Sequence, residues 1–348
     1  MAENKTFGIL LDGKSEDLIR SYDDFIGLPV DQDMSGNGNS SLNEKQKTIA
    51  NPVEVSAPGT FSKHKISRLL LEPCSKEGWW IKRTDLPDSL PIKVSNRNVW
   101  TTGDMVSSIV LRSGNASNYI RLAEHIIALK MGLDVDNLMI SMDSGDPPLF
   151  EQGSMELVKA IMDAGRIEQE KPVRYFTVKE TVSICGRSGG FMIIAPPESN
   201  KTSLEVDCAR NFPNAIGKQR IRFTLNKDTF CYGSNARTNT SSKQILFCMT
   251  IGKVFADIRH LGYNRRNVLI AGKNKYLNEA KYIHNGKSLE AAWHRANLDL
   301  LAAISLIEEG RLLGRITDYK GGHYMDVEMV KLLYANDLLV EVRKNELK

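Results

Sequence analysis

Five side chains of the types that carry acid–base and ligand chemistry sit in three short groups. Glu124 adjoins His125, His294 precedes Asp299 by five positions, and His323 closes the tetrapeptide Lys320-Gly321-Gly322-His323. Histidine, glutamate and aspartate are the usual general acids and bases and the usual nitrogen and oxygen ligands of a metal. Each also has a plainer reading. Glu124 and His125 read as an exposed Glu and a half-buried His on an amphipathic helix. His323 reads as a loop histidine capping a turn, and Thr250 as a helix threonine bonding its own backbone. Lys82, Arg295 and Lys320 suit an anion as well as they suit solvent. His294 and Asp299 pose a geometric problem, because five α-helical positions separate two side chains by about 140°, nearly opposite faces. The chain carries no Walker A motif, no Gly-x-Gly-x-x-Gly after a strand, and no His-Glu-x-x-His.

The elements that must position these groups follow from periodicity. KISRLLLEP (65–73) and GWWIKRTD (78–85) read as paired strands, and DMVSSIVLRS (104–113) as a third. YIRLAEHIIALKMG (119–132) has apolar residues at helical spacing and a glycine stop. NLMISMD (137–143) returns to strand, and SMELVKAIMDAG (154–165) is a second helix. KPVRYFTVKETVSI (171–184) opens a new strand set, with FMIIAPP, SLEVDCA and RIRFTLN after it. Helices are expected over 242–262, over 289–309 and after the Lys-Gly-Gly-His loop. Each half reads strands, helix, strand, helix, an α+β two-layer unit used twice. The boundary falls near Glu168–Lys171, giving domains over 46–168 and 169–348. Residues 1–45 form an extension whose polar stretch 31–46 reads as a linker. Its one apolar pattern (Leu18, Ile19, Tyr22, Phe25, Ile26) suits a short helix docking on the body or on a protein partner, and the segment is expected to be dispensable for folding.

Composition narrows the class. A net charge of +4, from 46 basic and 42 acidic residues, suits an anionic small ligand but is no nucleic-acid footprint. Five cysteines with no Cys-x-x-Cys exclude a zinc finger and argue against a disulfide scaffold, so reduced thiols in the cytoplasm are the expectation. There is no run of 18 apolar residues and no basic-then-apolar N-terminus.

RLAEHIIALKMGLDVDNLMISMD, GDPPLFEQGSMELVKAIMDAG, KPVRYFTVKETVSI, TIGKVFADIRHL and WHRANLDLLAAISLIEEGRLLGRITDYKGGH occur in an order and spacing that resembles the LpxC family. These are the metal-dependent deacetylases of UDP-3-O-acyl-N-acetylglucosamine in lipid A synthesis. The likeness covers about residues 46–345. It implies helices packed between two outer sheets and a cytoplasmic zinc enzyme acting on an acylated sugar nucleotide.

On that resemblance Glu124 is the general base, His125, His294 and Asp299 hold zinc, and His323 is the general acid or the cation that stabilises the oxyanion. Thr250 bonds the oxyanion as the threonine of the family's Thr-Phe-Gly motif, here followed by Ile251. Lys320 belongs to the catalytic loop; Arg295 and Lys82 are candidate substrate contacts on their charge, not on the resemblance. Three departures stand out. The family spaces its ligand His and Asp four apart, about 40° on a helix, so one residue is inserted near Ala296–Asn297; a π-bulge would absorb it. Ala303 stands where the family has an aspartate that orients the general-acid histidine. The opening Gly-Leu-His motif is replaced by PGTFSKHK, with His64 shifted. Two functions follow. One is a zinc-dependent amide hydrolase. The other is an inactive relative that binds a sugar nucleotide, an acyl chain or a protein.

Overall fold

The structure is a computed structural model that describes residues 4–36, 41–103, 107–198, 201–250 and 260–342. Two sheets dominate an α+β fold. The first has five strands in the order Val53–Pro58, Ile66–Pro73, Leu138–Met142, Trp79–Arg83, Ile92–Lys93. The two strands expected to pair are therefore not neighbours. Leu138–Met142 lies between them, antiparallel to Ile66–Pro73 and parallel to Trp79–Arg83. Its buried Leu138, Ile140 and Met142 alternate with half-buried Met139 and Ser141, the period-2 pattern of a strand with one packed face. Of the stretch read as a third strand, 104–106 lie outside the described residues and Val110–Arg112 is extended.

The second sheet has seven strands: Ile9–Asp12, Val182–Cys185, Phe191–Ala195, Gly314–Tyr319, Leu204–Asn211, Lys218–Thr224 and Gln32–Met34. Both edges come from the N-terminal extension, each parallel to its neighbour. Between them runs the helix Ser15–Ile26. Phe191 and Ile193 pack with Leu18, Phe25 and Leu28, whereas Met192 and Ile194 belong to the main core. Since successive strand residues point to opposite faces, this helix covers the outer face of the sheet. The extension is thus a strap over the second half; Leu18 and Phe25 of its apolar pattern are buried within the chain, whereas Ile19 and Ile26 are exposed. Part of the stretch read as a linker is edge strand.

The helices of the two halves meet between the sheets. Glu124–Ile127 and Leu129–Gly132 touch the long C-terminal-half helix that begins at Glu290, which in turn packs on strands Leu204–Asn211 and Lys218–Thr224. His323–Ala335 packs on Val182–Cys185 and Phe191–Ala195. One buried cluster runs from Leu69 and Ile140 through Ile127 and Leu301 to Val206 and Ile316. At the expected boundary, Arg166–Pro172 is a strand paired with Lys45–Ile49. No helix among the described residues is long and apolar enough to cross a membrane.

Candidate active site

Glu124, His125, Thr238, His294, Asp299 and His323 line one cleft of about 320 Å³ between the two halves. His294 and Asp299 share it because their helix is not regular. Glu290–His294 is α-helical, Arg295–Leu300 is a π-turn, and Leu301–Ile304 resumes the α-helix. A wider turn reduces the rotation per residue, so a five-residue step returns to the same face. Asp299 Oδ2 then stands 3.4 Å from His294 Nδ1. The turn is anchored by Asn297, fully buried, whose amide donates to the Phe230 carbonyl at 3.0 Å and reaches Ser234 Oγ at 3.3 Å. Gly233 makes room for it, since a Cβ there would meet the Asn297 side chain at 2.6 Å.

Two left-handed non-glycine residues flank the site, Leu122 (φ 47°) just before Glu124 and Lys320 (φ 52°) just before the loop that ends in His323. Such backbone is unfavourable for a side chain with a Cβ and is held here by its surroundings. The Ile109 N–H donates to Glu124 Oε2 at 3.0 Å. Glu124 Oε1 lies 3.8 Å from His323 Nε2, which is 3.7 Å from Asp299 Oδ1. Burial, reinforced by the Asp299 charge, pushes the Glu124 carboxyl up to about 8. Burial and the neighbouring His294 push His125 down to about 3. Burial alone would raise Asp299, but the His294 and His323 imidazoles hold it well below the carboxylate range. Burial lowers His323 against the pull of Asp299.

His125 Nε2 and His294 Nε2 are 3.1 Å apart, and Thr238 Oγ1 is 3.3 and 3.0 Å from them. Two imidazoles on one tetrahedral zinc, each at 2.0–2.1 Å, have nitrogens about 3.3 Å apart, so this pair fits a metal to within a few tenths of an ångström. Asp299 Oδ1 and His294 Nδ1 are buried without a hydrogen-bond partner, and an orphaned carboxylate oxygen in a cleft is chemically suited to a cation. The carboxylate is turned toward His294 and His323, however, and no three His, Cys, Asp or Glu side chains among the described residues stand as a closed ligand set. The donor types and the histidine pair fit zinc. The third corner needs Asp299 to turn.

The chain belongs to the LpxC family. The model of that family, described as UDP-3-O-acyl N-acetylglycosamine deacetylase, matches residues 46–335. Similar curated proteins are the UDP-3-O-acyl-N-acetylglucosamine deacetylases of Brucella ovis and of Brucella suis biovar 1. Each is 24% identical over 308 residues, covering 86% of this chain and 99% of the relative. The strap of residues 9–34 lies outside the family match.

Against the LpxC expectations, Glu124, His125, His294, Asp299 and His323 come together; Arg295 lines the cleft with them but is already paired, and Thr250, Lys82 and Lys320 lie outside it. Thr250 is exposed at the end of helix Ser242–Met249, its hydroxyl donating to the Leu246 carbonyl at 2.7 Å, outside the cleft. The threonine that reaches the histidines is Thr238, in Ala-Arg-Thr-Asn at the start of strand Thr238–Ser241. The available signal was that Ala-Arg-Thr follows a capped helix and precedes another Ser cap; the residues 251–259 that suggested Thr250 lie outside the described ones. Arg295 is buried in ion pairs with Asp318 (2.9 Å) and Asp326, which leaves it no free charge for substrate. Lys82 is exposed on strand Trp79–Arg83 and does not line the cleft. Lys320 lies over the Tyr319 ring and faces the adjoining groove. His64 is outside as well, meeting the His260 ring edge to face, though Thr60 of the same segment lines the cleft. At Ala303 there is no carboxylate for His323, and His323 Nδ1 is buried without a partner.

Proposed function

We propose that this chain is a zinc-dependent amide hydrolase that removes the acetyl group from an acylated N-acetylglucosamine nucleotide, the substrate class named for its relatives. The observation that carries the reading is the π-turn. It returns His294 and Asp299 to the face that already holds Glu124, His125 and His323, and an insertion with no role in a site would gain nothing from that geometry. His125, His294 and Asp299 would hold the metal, which supplies an acidified water and a Lewis acid when bound. Glu124, buried and oriented by the Ile109 N–H, would accept a proton from the water in its ionised form, which a cation bound beside it favours. His323 Nε2, at the far wall, delivers a proton to the leaving amine. The Thr238 hydroxyl donates to the oxygen that becomes negative. Burial of these groups keeps the exchanged protons away from bulk solvent.

A second reading has two observations behind it. His323 Nδ1 has no partner and the ligand set is open, as in an inactive relative that keeps the cleft for binding. Zinc content separates the two. The hydrolase reading expects about one equivalent, abolished by His125→Ala, with a rise in thermal stability on loading because the metal binds only the native state. It also expects Glu124→Ala to cut turnover by about 10²-fold or more with ligand binding spared. A chain that takes up no zinc at saturating concentration, and is indifferent to Glu124→Ala, is the binding protein.

A further inference from the structure

Two arginines reach beneath the Lys320–His323 loop, and they differ in how they are paired. Arg295 is neutralised: its guanidinium donates to Asp318 at 2.9 Å and to both oxygens of Asp326, all three side chains being buried, and only its Nε lacks a partner. Arg210, on strand Leu204–Asn211, donates to the Gly321 carbonyl and to no carboxylate among the described residues. Its Nε is buried with no hydrogen-bond partner. Its guanidinium carbon lies 4.9 Å from the Phe212 ring centroid. Arg210 and Phe212 line the same cleft as Glu124, His294 and His323.

Of the carboxylates that face Arg210 from a distance, Asp318 is paired with Arg295, and Asp299 stands beside the His294 and His323 imidazoles at 3.4 and 3.7 Å. A guanidinium cannot escape this by losing its proton. A half-buried guanidinium with a buried, unfilled Nε–H and no paired carboxylate is unfavourable unless something supplies a counter-ion. Charge-assisted, planar donors suit phosphate-type oxygens, and the Phe212 ring beside it gives such a ligand a flat apolar wall.

We infer that Arg210 is the anion-binding residue of the cleft, taking a phosphate-type oxyanion of the bound molecule next to Phe212. This assigns to Arg210 the anion contact that Arg295 and Lys82 are not placed to make. It rests on the cleft of the proposed function but not on turnover, since an inactive binding protein needs the same contact.

The test is calorimetric titration of the full chain with pyrophosphate at two salt concentrations, as purified and, in parallel, after chelator treatment so that metal sequestration is accounted for. The wild type is expected to show one saturable site, weakened by added salt. Arg210→Gln should weaken it about tenfold or more, the scale of a lost charged contact. Arg210→Lys, which keeps the charge but not the planar fork, should weaken it less, and Lys82→Gln not at all. Binding unchanged in Arg210→Gln overturns the inference, as does a loss seen in Lys320→Gln alone, or no saturable binding in the wild type. If Arg210→Gln does not fold, because the Gly321 carbonyl loses its donor, Arg210→Lys decides: affinity equal to the wild type overturns the assignment. Deacetylation and zinc content are read on the same samples. An inactive chain that still depends on Arg210 for pyrophosphate sinks the hydrolase reading and leaves this one standing.

Discussion

Replacing Phe25 by alanine tests whether the N-terminal strap is part of the fold. Phe25 is 2% exposed. Its ring lies 5.7 Å from Phe191 and 5.9 Å from Tyr319, with the Arg220 guanidinium 3.9 Å from its centroid. Truncating a fully buried Phe costs about 3–5 kcal/mol, the removed atoms plus the cavity left behind. Arg220 also donates to the Phe25 and Leu28 carbonyls while pairing with Asp207, so a shifted helix would strand donors of a buried cation. At about 2–4 °C per kcal/mol for a domain of this scale, the midpoint should fall by roughly 6–20 °C. Thermal unfolding followed by circular dichroism, with urea unfolding for the free energy, measures it. A chain beginning near Glu44 should lose at least as much, because both edges of the seven-stranded sheet and its outer face open together. Midpoints within about 2 °C of the wild type for both variants would refute the reasoning and restore the reading of a dispensable extension.

Thr238→Val, which removes the hydroxyl beside both imidazoles, should lower turnover about tenfold or more in a deacetylase assay. Thr250→Val should leave turnover unchanged, and the reverse order would reinstate Thr250. Asn297→Leu should destabilise the chain by about 1–3 kcal/mol in urea, because the amide that ties the π-turn to Phe230 and Ser234 is lost. It should also weaken zinc uptake; an unchanged zinc affinity would show that the turn holds without that anchor. Lys130, buried and donating to the Ser305 and Ile307 carbonyls, has its amine pushed by burial from 10.5 down to about 8. The unfolded chain therefore binds more protons between those values, and folding stability rises as pH climbs from about 8 toward 10.5. Relative to Lys130→Met, the wild type should gain about 3 kcal/mol across that window; a flat difference would place the amine in water.

The order of motifs along the sequence was enough for the family and the α+β class, and it singled out five residues that the fold gathers in one cleft, because the spacing Glu124-His125, His294, Asp299, His323 is long and ordered. The helices Met155–Asp163 and His323–Ala335 were legible for a local reason, apolar residues at helical period with glycine before or after. Strand neighbours were not. That Leu138–Met142 separates Ile66–Pro73 from Trp79–Arg83 depends on which apolar faces fit together across some sixty residues of chain, and no local period encodes it. The five-residue step from His294 to Asp299 showed an inserted residue, but whether the helix bulged or turned its back depended on Asn297 finding Phe230 and Ser234 and on Gly233 leaving space. Charge was the least legible property of all. Arg295, Arg210, Lys82 and Lys320 are alike in sequence. Only tertiary packing decided that one is neutralised by Asp318 and Asp326, one is left without a counter-ion in the cleft, and two face away from it, because a cation's role is set by the carboxylates and water within a few ångströms of it.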